Sequence, residues 1–409
     1  MQYFKNKPLV FLLFLFLFLS FFLCCKKNHL QQMEREDLFS LSYGSFENQI
    51  NLFELESSYT RPDSQISMKD GIFYISNSAS GKIMQMTSFG DLLSIIYNVD
   101  KNPQPIFTNS ENSQTKATTR KSVQYPLNHP TFLAITDNKQ LYVVDSVFSD
   151  RVEYDPEENL ALTNIVIHFN EESEFVNYIG QEGIGGTPFP IIEGLYTNTK
   201  NDIIVVCQTT QSIKVYWFSA DGELLYKVPI FFSSLPSPYR EGGSFFSSVE
   251  TVVPDFNAMG LYVKIDYYTE EIDPETQVSA GINYDKSCLY FLAIETGKYE
   301  NKIDIAPHEE TETDAAGTNT NKKVFSLIGI SQSDKAFFIT PTAKGYLLGI
   351  LDLNSLRLLK RDLIITQDEQ VYNALNLSTN GILSGLLAKN NQAEIVWWRT
   401  DKIIGESIR

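Results

Sequence analysis

The chain has 409 residues, of which 43% are hydrophobic and 20% are charged. This supply of apolar side chains is enough for a packed core and excludes a disordered or low-complexity protein. The 50 Asp and Glu residues outnumber the 33 Lys and Arg residues and give a formal charge of -17, which would repel a phosphate backbone. Nucleic acid is therefore not expected as a partner.

The first 24 residues have the features of an export signal. Lys5 and Lys7 precede a stretch from residue 9 to residue 23 that is apolar except for Ser20. As a helix, this stretch would span roughly 22 Å, less than the roughly 30 Å of a hydrocarbon core. It predicts a signal peptide at residues 1–24 and an exported chain. An uncleaved signal anchor is the alternative.

Two cysteines follow the apolar stretch, and lipid attachment requires a cysteine at this boundary. The thiolate of Cys24 or Cys25 is nucleophilic enough to form a thioether with diacylglycerol. The segment resembles a bacterial lipoprotein signal peptide in the relaxed form that spirochaetes use, because FFL replaces the usual small residues before Cys24. The resemblance implies a cell-envelope protein held by lipid at the outer membrane or periplasmic face, with residues 25–47 as tether and N-terminal segment.

The rest of the chain repeats one unit of four short strands separated by tight turns. Residues 66–97 show it first, where IFYIS, KIMQM and LLSIIY follow a short first strand. Six such units fit the sequence, near residues 66–97, 131–179, 191–230, 249–305, 324–365 and 371–408. The pattern predicts an all-β fold, a six-bladed β-propeller with four antiparallel strands per blade, over residues 48–409. A pair of β-sandwiches is the alternative.

Two dipeptides relate these units to a repeat class. Asn77-Ser78 and Asp145-Ser146 follow the second strands of the first two units. NHL repeats carry Asp-Ser at this point, so the chain resembles six-bladed propellers of the NHL-like class, although its later units lack the dipeptide. The resemblance implies a fold class and no particular activity.

A propeller has to close its ring, because an open edge strand would pair with another molecule. The segment at residues 49–55, which contains INLFEL, predicts an outer strand for the last blade, where DKIIGESIR would be a weak fourth strand. In the alternative, this N-terminal segment, preceded by LFSLSY, packs outside the ring as a cap.

The long insertions fall between blades or between second and third strands, and antiparallel geometry places both classes of connection on one face of the ring. They occupy residues 98–129, 148–162, 231–247, 268–284 and 307–322. Three of them carry acidic runs, whose oxygens would suit calcium. However, no segment has the Asp-x-Asn-x-Asn-Gly spacing of a calcium loop, so solvated loops are the competing interpretation.

Polar residues predicted at the mouth of the central channel form the candidate binding site. They are Asn77, Asp145, Gln208 and Asp266 at the ends of second strands, and His129 just before the second blade. In calcium-dependent propeller hydrolases, a ring of such side chains holds the metal, and this chain has only part of that ring. The alternative is that the Asx side chains cap turns at strand ends.

Two cysteines remain after the signal segment, and both lie in strand-like runs. Cys207 is in VVCQ and Cys288 is in KSCLYF. An exported chain permits a disulfide between them, but their spacing does not establish one. We expect two buried free thiols.

Several catalytic signatures are missing from the sequence, which has no GxSxG elbow, no HExxH and no phosphate-binding glycine loop. The sequence therefore predicts an exported, lipid-anchored propeller that acts as a binding or scaffold module. Its loop-rich face would engage a protein or another envelope component, and no cofactor is expected. The alternative is a calcium-dependent propeller hydrolase or lyase with its site over the channel.

Overall fold

The computed structural model describes residues 31–52, 63–109, 120–239, 245–314, 317–369 and 371–406. The predicted signal peptide and the candidate lipidation residues Cys24 and Cys25 lie outside these ranges. Within them, strands are the main regular secondary structure and form six main β-sheets. None of the described helices is both long enough and apolar enough to cross a membrane.

Each main sheet is one blade with four antiparallel strands, and three blades carry a fifth strand. The first two described strands, β1 (Arg35–Tyr43) and β2 (Gln49–Ile50), belong to the last blade. Blade 1 contains β3 (Ile66–Lys69), β4 (Ile72–Asn77), β5 (Lys82–Thr87), β6 (Leu92–Tyr97) and β7 (Lys121–Gln124). Blade 2 contains β8 (Leu133–Ile135), β9 (Leu141–Ser146), β12 (Asn164–Phe169), β13 (Phe175–Gly180) and β14 (Gly183–Ile184). A separate hairpin of β10 (Glu153–Asp155) and β11 (Leu160–Leu162) is inserted between β9 and β12.

The remaining blades follow in chain order. Blade 3 contains β15 (Ile191–Thr197), β16 (Ile203–Gln208), β17 (Ser212–Phe218) and β18 (Leu224–Phe231). Blade 4 contains β19 (Phe246–Pro254), β20 (Gly260–Ile272), β21 (Ser279–Ala293) and β22 (Lys298–Ile305), followed by the hairpin of β23 (His308–Asp314) and β24 (Gly317–Lys323). Blade 5 contains β25 (Ser326–Ser331), β26 (Lys335–Thr342), β27 (Gly345–Asp352) and β28 (Leu358–Ile364). Blade 6 contains β29 (Tyr372–Leu377), β30 (Leu383–Ala388), β31 (Gln392–Trp398) and the two N-terminal strands, and helix α1 (Thr400–Glu406) follows. The 3-10 helices are Ile106–Asn109, Ser149–Arg151, Phe232–Ser234 and Gln367–Glu369.

The six innermost strands form a closed ring. Each contacts the next in the order β3, β8, β15, β19, β25 and β29, and β29 returns to β3. The six-bladed, all-β architecture predicted from the repeats is therefore confirmed.

The core of the molecule lies between the blades. Six buried hydrophobic clusters fill the six interfaces between neighbouring sheets. Because the middle strands pack on both faces, β16 reads as IIVVCQ without polar alternation and is buried along its first five residues. The outer strand β18 packs on only one side and is mostly exposed.

An N-terminal strand closes the ring, but it is not the predicted one. β1 pairs antiparallel with β31, from Arg35 opposite Trp398 to Ser42 opposite Gln392, and is the fourth strand of blade 6. Of the predicted segment at residues 49–55, β2 contributes a short parallel fifth strand, and residues 53–55 lie outside the described ranges. Residues 25–47, predicted as tether and N-terminal segment, thus include β1, a strand of blade 6.

The C-terminal segment also departs from the prediction. In place of the expected fourth strand, residues 400–406 form helix α1, which buries Ile404 against the cluster between blades 5 and 6. The Thr400 hydroxyl at the start of this helix donates to the carbonyl of Gly381. The helix leaves the outer side of β31 free to accept β1.

One face of the ring, here called the loop-rich face, carries the connections between blades and those between second and third strands. The hairpins β10–β11 and β23–β24 and the extended ends of β20 and β21 all lie in these connections. The turns on the opposite face are tight. Asp70 and Gly71, with φ of 52° and 77°, connect β3 and β4 in the two-residue manner of a hairpin that needs positive φ at both positions.

Cys207 and Cys288 are both buried and not joined by a disulfide, as expected. Burial raises the pKa of the Cys207 thiol well above its ordinary value and that of Cys288 to about 12. Neither thiol is therefore a reactive thiolate at neutral pH.

Candidate functional site

Asn77, at the end of β4, holds the N-terminal segment against blade 1. Its side chain is fully buried. The Oδ1 atom accepts from the backbone N–H of Asn51 at 2.8 Å, and Nδ2 donates to the Asn51 carbonyl at 2.7 Å and to Ser64 Oγ at 3.1 Å. With both ends of its amide occupied, Asn77 has a structural role.

Asp145, at the equivalent point of blade 2, caps the turn that leads into its own blade. Its carboxylate accepts from the backbone N–H groups of Asn128 at 2.9 Å and His129 at 2.6 Å. Burial raises the pKa of Asp145 to about 6, although these hydrogen bonds act in the opposite direction. The imidazole of His129 faces outward, where Nε2 lies 3.0 Å from Asp63 Oδ2.

Asp266 belongs to a buried polar network in blade 4. Lys264 Nζ donates to Asp266 Oδ1 at 2.7 Å and lies 3.5 Å from Glu250 Oε2. Ser287 Oγ donates to Asp266 Oδ1 at 2.5 Å, and Glu250 Oε2 also accepts from the backbone N–H of Leu327 at 3.3 Å. Lys264 is completely buried, and these two carboxylates are its ionic partners.

Gln208, the remaining predicted residue, lines a cavity of about 340 Å³ between blades 3 and 4, here called the inter-blade cavity. The cavity is bounded by Glu193, Tyr196, Val206, Gln208, Ile213, Phe232 and residues 247–252. Gln208, Phe232 and residues 247–248 stand at strand ends on the loop-rich face. The cavity therefore opens toward the face that carries the insertions.

The two acids of the inter-blade cavity occupy matching positions. β15 is bulged between Ile192 and Gly194, and β19 is bulged between Val249 and Thr251, so Glu193 and Glu250 are the extra residues of two neighbouring inner strands. A bulge changes the direction of a side chain relative to the regular pleat. The two bulges bring the carboxylates of Glu193 and Glu250 to the cavity wall.

Tyr196 lies beside these acids. A Cβ built on Gly194 would come within 2.5 Å of the Tyr196 ring, so the glycine makes room for this aromatic side chain. Burial, together with the negative fields of Glu193 and Glu250, raises the pKa of the Tyr196 phenol to about 12. The phenol is therefore a neutral hydrogen-bonding group at physiological pH.

A second cavity, of about 220 Å³, occupies the central channel. It is lined by all six inner strands, mainly toward the ends of β15, β19, β25 and β29 that face the short turns. Most of its wall is apolar or backbone, and the Oδ1 atom of Asn376 is buried there without a hydrogen-bond partner.

The five predicted channel-mouth residues do not form one ring. Asn77, Asp145 and His129 are engaged in blades 1 and 2, whereas Gln208 and the network of Asp266 belong to the side of blades 3 and 4. Within the described ranges, no group of three or more His, Cys, Asp or Glu side chains is placed to hold a metal ion.

Glu193, Glu250 and Lys264 were not among the site residues predicted from the sequence. A signal for them exists, because IIEGLY and SVETVV are inner strands of adjacent units and each has one acid among apolar residues. An acid in such a strand suggests a bulge or a cavity. The partner lysine, in LYVKID, is the corresponding exception in the second strand of blade 4.

No protein-family model matches this chain, and no curated protein matches its sequence. Several solved structures are similar to it in fold at low sequence identity. The propeller domain of the trilobed protease from Pyrococcus furiosus is 10% identical, with 82% of this chain and 95% of that chain covered and a TM-score of 0.39. A polysaccharide lyase is 8% identical, with 90% of this chain and 99% of the lyase covered and a TM-score of 0.42. A gluconolactonase from Xanthomonas campestris is 9% identical, with 91% of this chain and 92% of that chain covered and a TM-score of 0.41. These are likenesses of fold and assign no activity to this chain.

Proposed function

We propose that this protein is an exported, lipid-anchored binding module whose loop-rich face docks a protein of the cell envelope. The observation that carries the proposal is the extension of β20 and β21 beyond the body of blade 4. The projecting end of this hairpin exposes three large apolar side chains, Ile272 of β20 at 46%, Val278 of the connection at 61% and Ile282 of β21 at 57% exposure. Exposed apolar groups concentrated on one projection, with polar groups around them, are typical of a protein interface.

The charge around these side chains indicates the kind of partner. Glu270, Glu271, Asp273 and Glu275 belong to the same hairpin; Asp273 is half-buried and the three glutamates are exposed. A partner surface with basic groups around an apolar centre would complement this hairpin. A membrane with anionic lipids would instead be repelled, so lipid attachment at Cys24 or Cys25 would have to supply the anchor.

Docking is tested by weakening the apolar tip without changing its charge. We expect the triple substitution Ile272→Ser, Val278→Ser and Ile282→Ser to lower recovery of cross-linked partner from intact cells at least about tenfold, since each buried apolar side chain contributes roughly 1.5 kcal/mol or more. The matched control is Phe89→Ser, which removes an apolar side chain of 86% exposure from a short turn on the opposite face. Equal recovery for the triple variant and the control would refute docking through this hairpin.

Lipid anchoring is tested separately. Substitution of both Cys24 and Cys25 with Ser should move the protein from the membrane to the soluble fraction, because no acyl chains would then be attached. The single variants show which cysteine is used. Retention of the double variant in membranes after a high-salt wash would contradict a lipid anchor and support an uncleaved signal anchor.

A further inference from the structure

The inter-blade cavity combines a defined volume with an unusual set of side chains. Its described lining contains two carboxylates, those of Glu193 and Glu250, and no Lys or Arg. The aromatic rings of Tyr196 and Phe232 form part of the same wall. Lys264 and Asp266 lie behind Glu250. The three acids and the one lysine together carry a formal charge of -2. The cavity therefore favours a positively charged occupant.

Glu250 is held in place before any ligand arrives. Lys264 and the backbone N–H of Leu327 contact its Oε2 atom from blades 4 and 5. Such fixed acceptors lose little conformational entropy on binding, which is the advantage of a preorganised site. Glu193, by contrast, is exposed and supplies a second carboxylate from blade 3.

The register of the blades shows how exceptional Lys264 is. It lies opposite the residue that follows the bulge in β19, and the matching residues in β16 and β26 are Val206 and Phe337. Both of those side chains are buried and apolar. A lysine at this core position has a desolvation cost that an apolar residue would avoid. The contact of Lys264 with Glu250 at the cavity wall accounts for a lysine at this position.

We propose that the inter-blade cavity binds a guanidinium or ammonium group. Its positive charge would lie between Glu193 and Glu250, which accept charge-assisted hydrogen bonds, and its carbon chain would contact Tyr196 and Phe232. The amide oxygen of Gln208 and the hydroxyl groups of Ser247 and Ser248 are further acceptors near the opening. A free small amine and an Arg or Lys side chain of another protein share this chemistry. The proposal does not depend on the docking hairpin.

The test uses full-length protein in detergent and calorimetric titration with N-acetylarginine amide. Its neutral isostere, N-acetylcitrulline amide, is the matched ligand control. We expect the arginine probe to bind at least about tenfold more tightly than the citrulline probe, because the latter makes no ionic contact. Raising the salt concentration should weaken binding of the arginine probe and leave binding of the citrulline probe unchanged, because salt screens only the ionic contact. Equal affinities for the two probes, or no binding of either at millimolar concentration, would overturn the proposal.

Variants place the binding in this cavity. Glu193→Gln should weaken binding of the arginine probe about tenfold. The melting temperature of the protein should not change, since Glu193 is exposed and its loss leaves no buried charge unpaired. Glu250→Gln should weaken binding further but also destabilise the fold through Lys264, so the exposed acid is the decisive variant. The control is Glu300→Gln, which removes one negative charge from the outer strand β22. Equal losses for Glu193→Gln and Glu300→Gln would refute the site.

The source of the cation is distinguished by a third probe, the peptide Gly-Gly-Arg-Gly-Gly with blocked ends. Binding at least about tenfold tighter than that of the arginine amide would identify a protein side chain as the occupant, because the flanking backbone then adds contacts. Equal affinities of peptide and amide would identify a free small cation. Both results support the cavity as a cation site, and loss of binding for both probes in Glu193→Gln is required in either case.

Discussion

Lys82 shows what one buried side chain contributes to the attachment of the N-terminal segment. Its Nζ donates to the carbonyls of Ser45 at 3.3 Å and Phe46 at 2.8 Å, in the connection between β1 and β2. The residue is completely buried, and this desolvation lowers the pKa of its amine from 10.5 to about 7. Between these two values, the unfolded chain holds a proton that the folded chain has released.

The expected consequence is a stability that increases with pH. From pH 7 to pH 10, Lys82 should contribute a slope approaching 1.4 kcal/mol per pH unit to the free energy of unfolding, because the unfolded state binds the extra proton. Urea unfolding at pH 7, 8 and 9 measures this slope, which Lys82→Met should remove and Lys298→Met, on the exposed outer strand of blade 4, should keep. Parallel profiles for wild type and Lys82→Met would show that Lys82 is not the titrating group.

At the scale of single elements, β1 is held to the last blade by charge as well as by its strand pairing. Arg35 donates to both oxygens of Glu369, from Nη1 at 2.8 Å and Nη2 at 2.6 Å, and Lys389 lies 3.2 Å from the same carboxylate. Glu369 is 2% exposed. Burial alone would raise its pKa, but the hydrogen bonds from Arg35 and Thr366 lower it to about 2.

We therefore expect Glu369→Gln to lower the free energy of unfolding by about 3 kcal/mol at pH 7, since it leaves the Arg35 charge without its buried partner. The folded-state pKa lies below the unfolded value of 4.5, so this contribution is complete above pH 4.5 and disappears as the pH falls toward 2. Hydrogen exchange should also become faster in β1. The control Glu172→Gln, which breaks an exposed 3.8 Å pair with Lys121, should change stability by less than about 0.5 kcal/mol. Unchanged exchange in β1 would contradict the assigned role.

Strand β1 also illustrates which features of the fold could not be predicted from the sequence. Short apolar runs separated by turns predicted the six units, because strands such as β16 pair with their neighbours in the chain. β1 pairs with β31 across more than 300 residues, and its segment LFSLSY has no local feature that identifies this partner. The adjacent pair Ile403 and Ile404 fits a strand or one side of a short helix equally well. Packing, which the local pattern does not contain, decides between them.

The candidate site was predictable to a similar extent. Asp145 caps a turn, as the alternative interpretation of these strand-end residues expected, whereas Asn77 holds the distant N-terminal segment, a contact that no local pattern indicates. The inter-blade cavity was missed because it depends on bulges at Glu193 and Glu250, and a bulge shifts the side-chain pattern by one residue without any obligatory sequence mark.

For the molecule as a whole, stability depends on closure of the ring. Every blade buries its two faces against neighbours, and the cluster between blades 6 and 1 includes Leu41 of β1 together with Ile50 and Leu52 that follow it. No single blade encloses a core of its own. A break at one interface is therefore expected to weaken the entire ring.

Two truncations test this dependence. A chain that starts at residue 31 keeps β1, whereas one that starts at residue 48 loses it and leaves the edge of β31 unpaired. We expect the first to be monomeric, and the second to melt at least about 5 °C lower and to self-associate, because an exposed edge strand pairs with other chains. Light scattering coupled to size-exclusion chromatography measures association, and calorimetry measures melting. If the two truncated chains were equally stable and both monomeric, β1 would be an accessory strand, and blades 6 and 1 would have to close the ring through β3 and β29 alone.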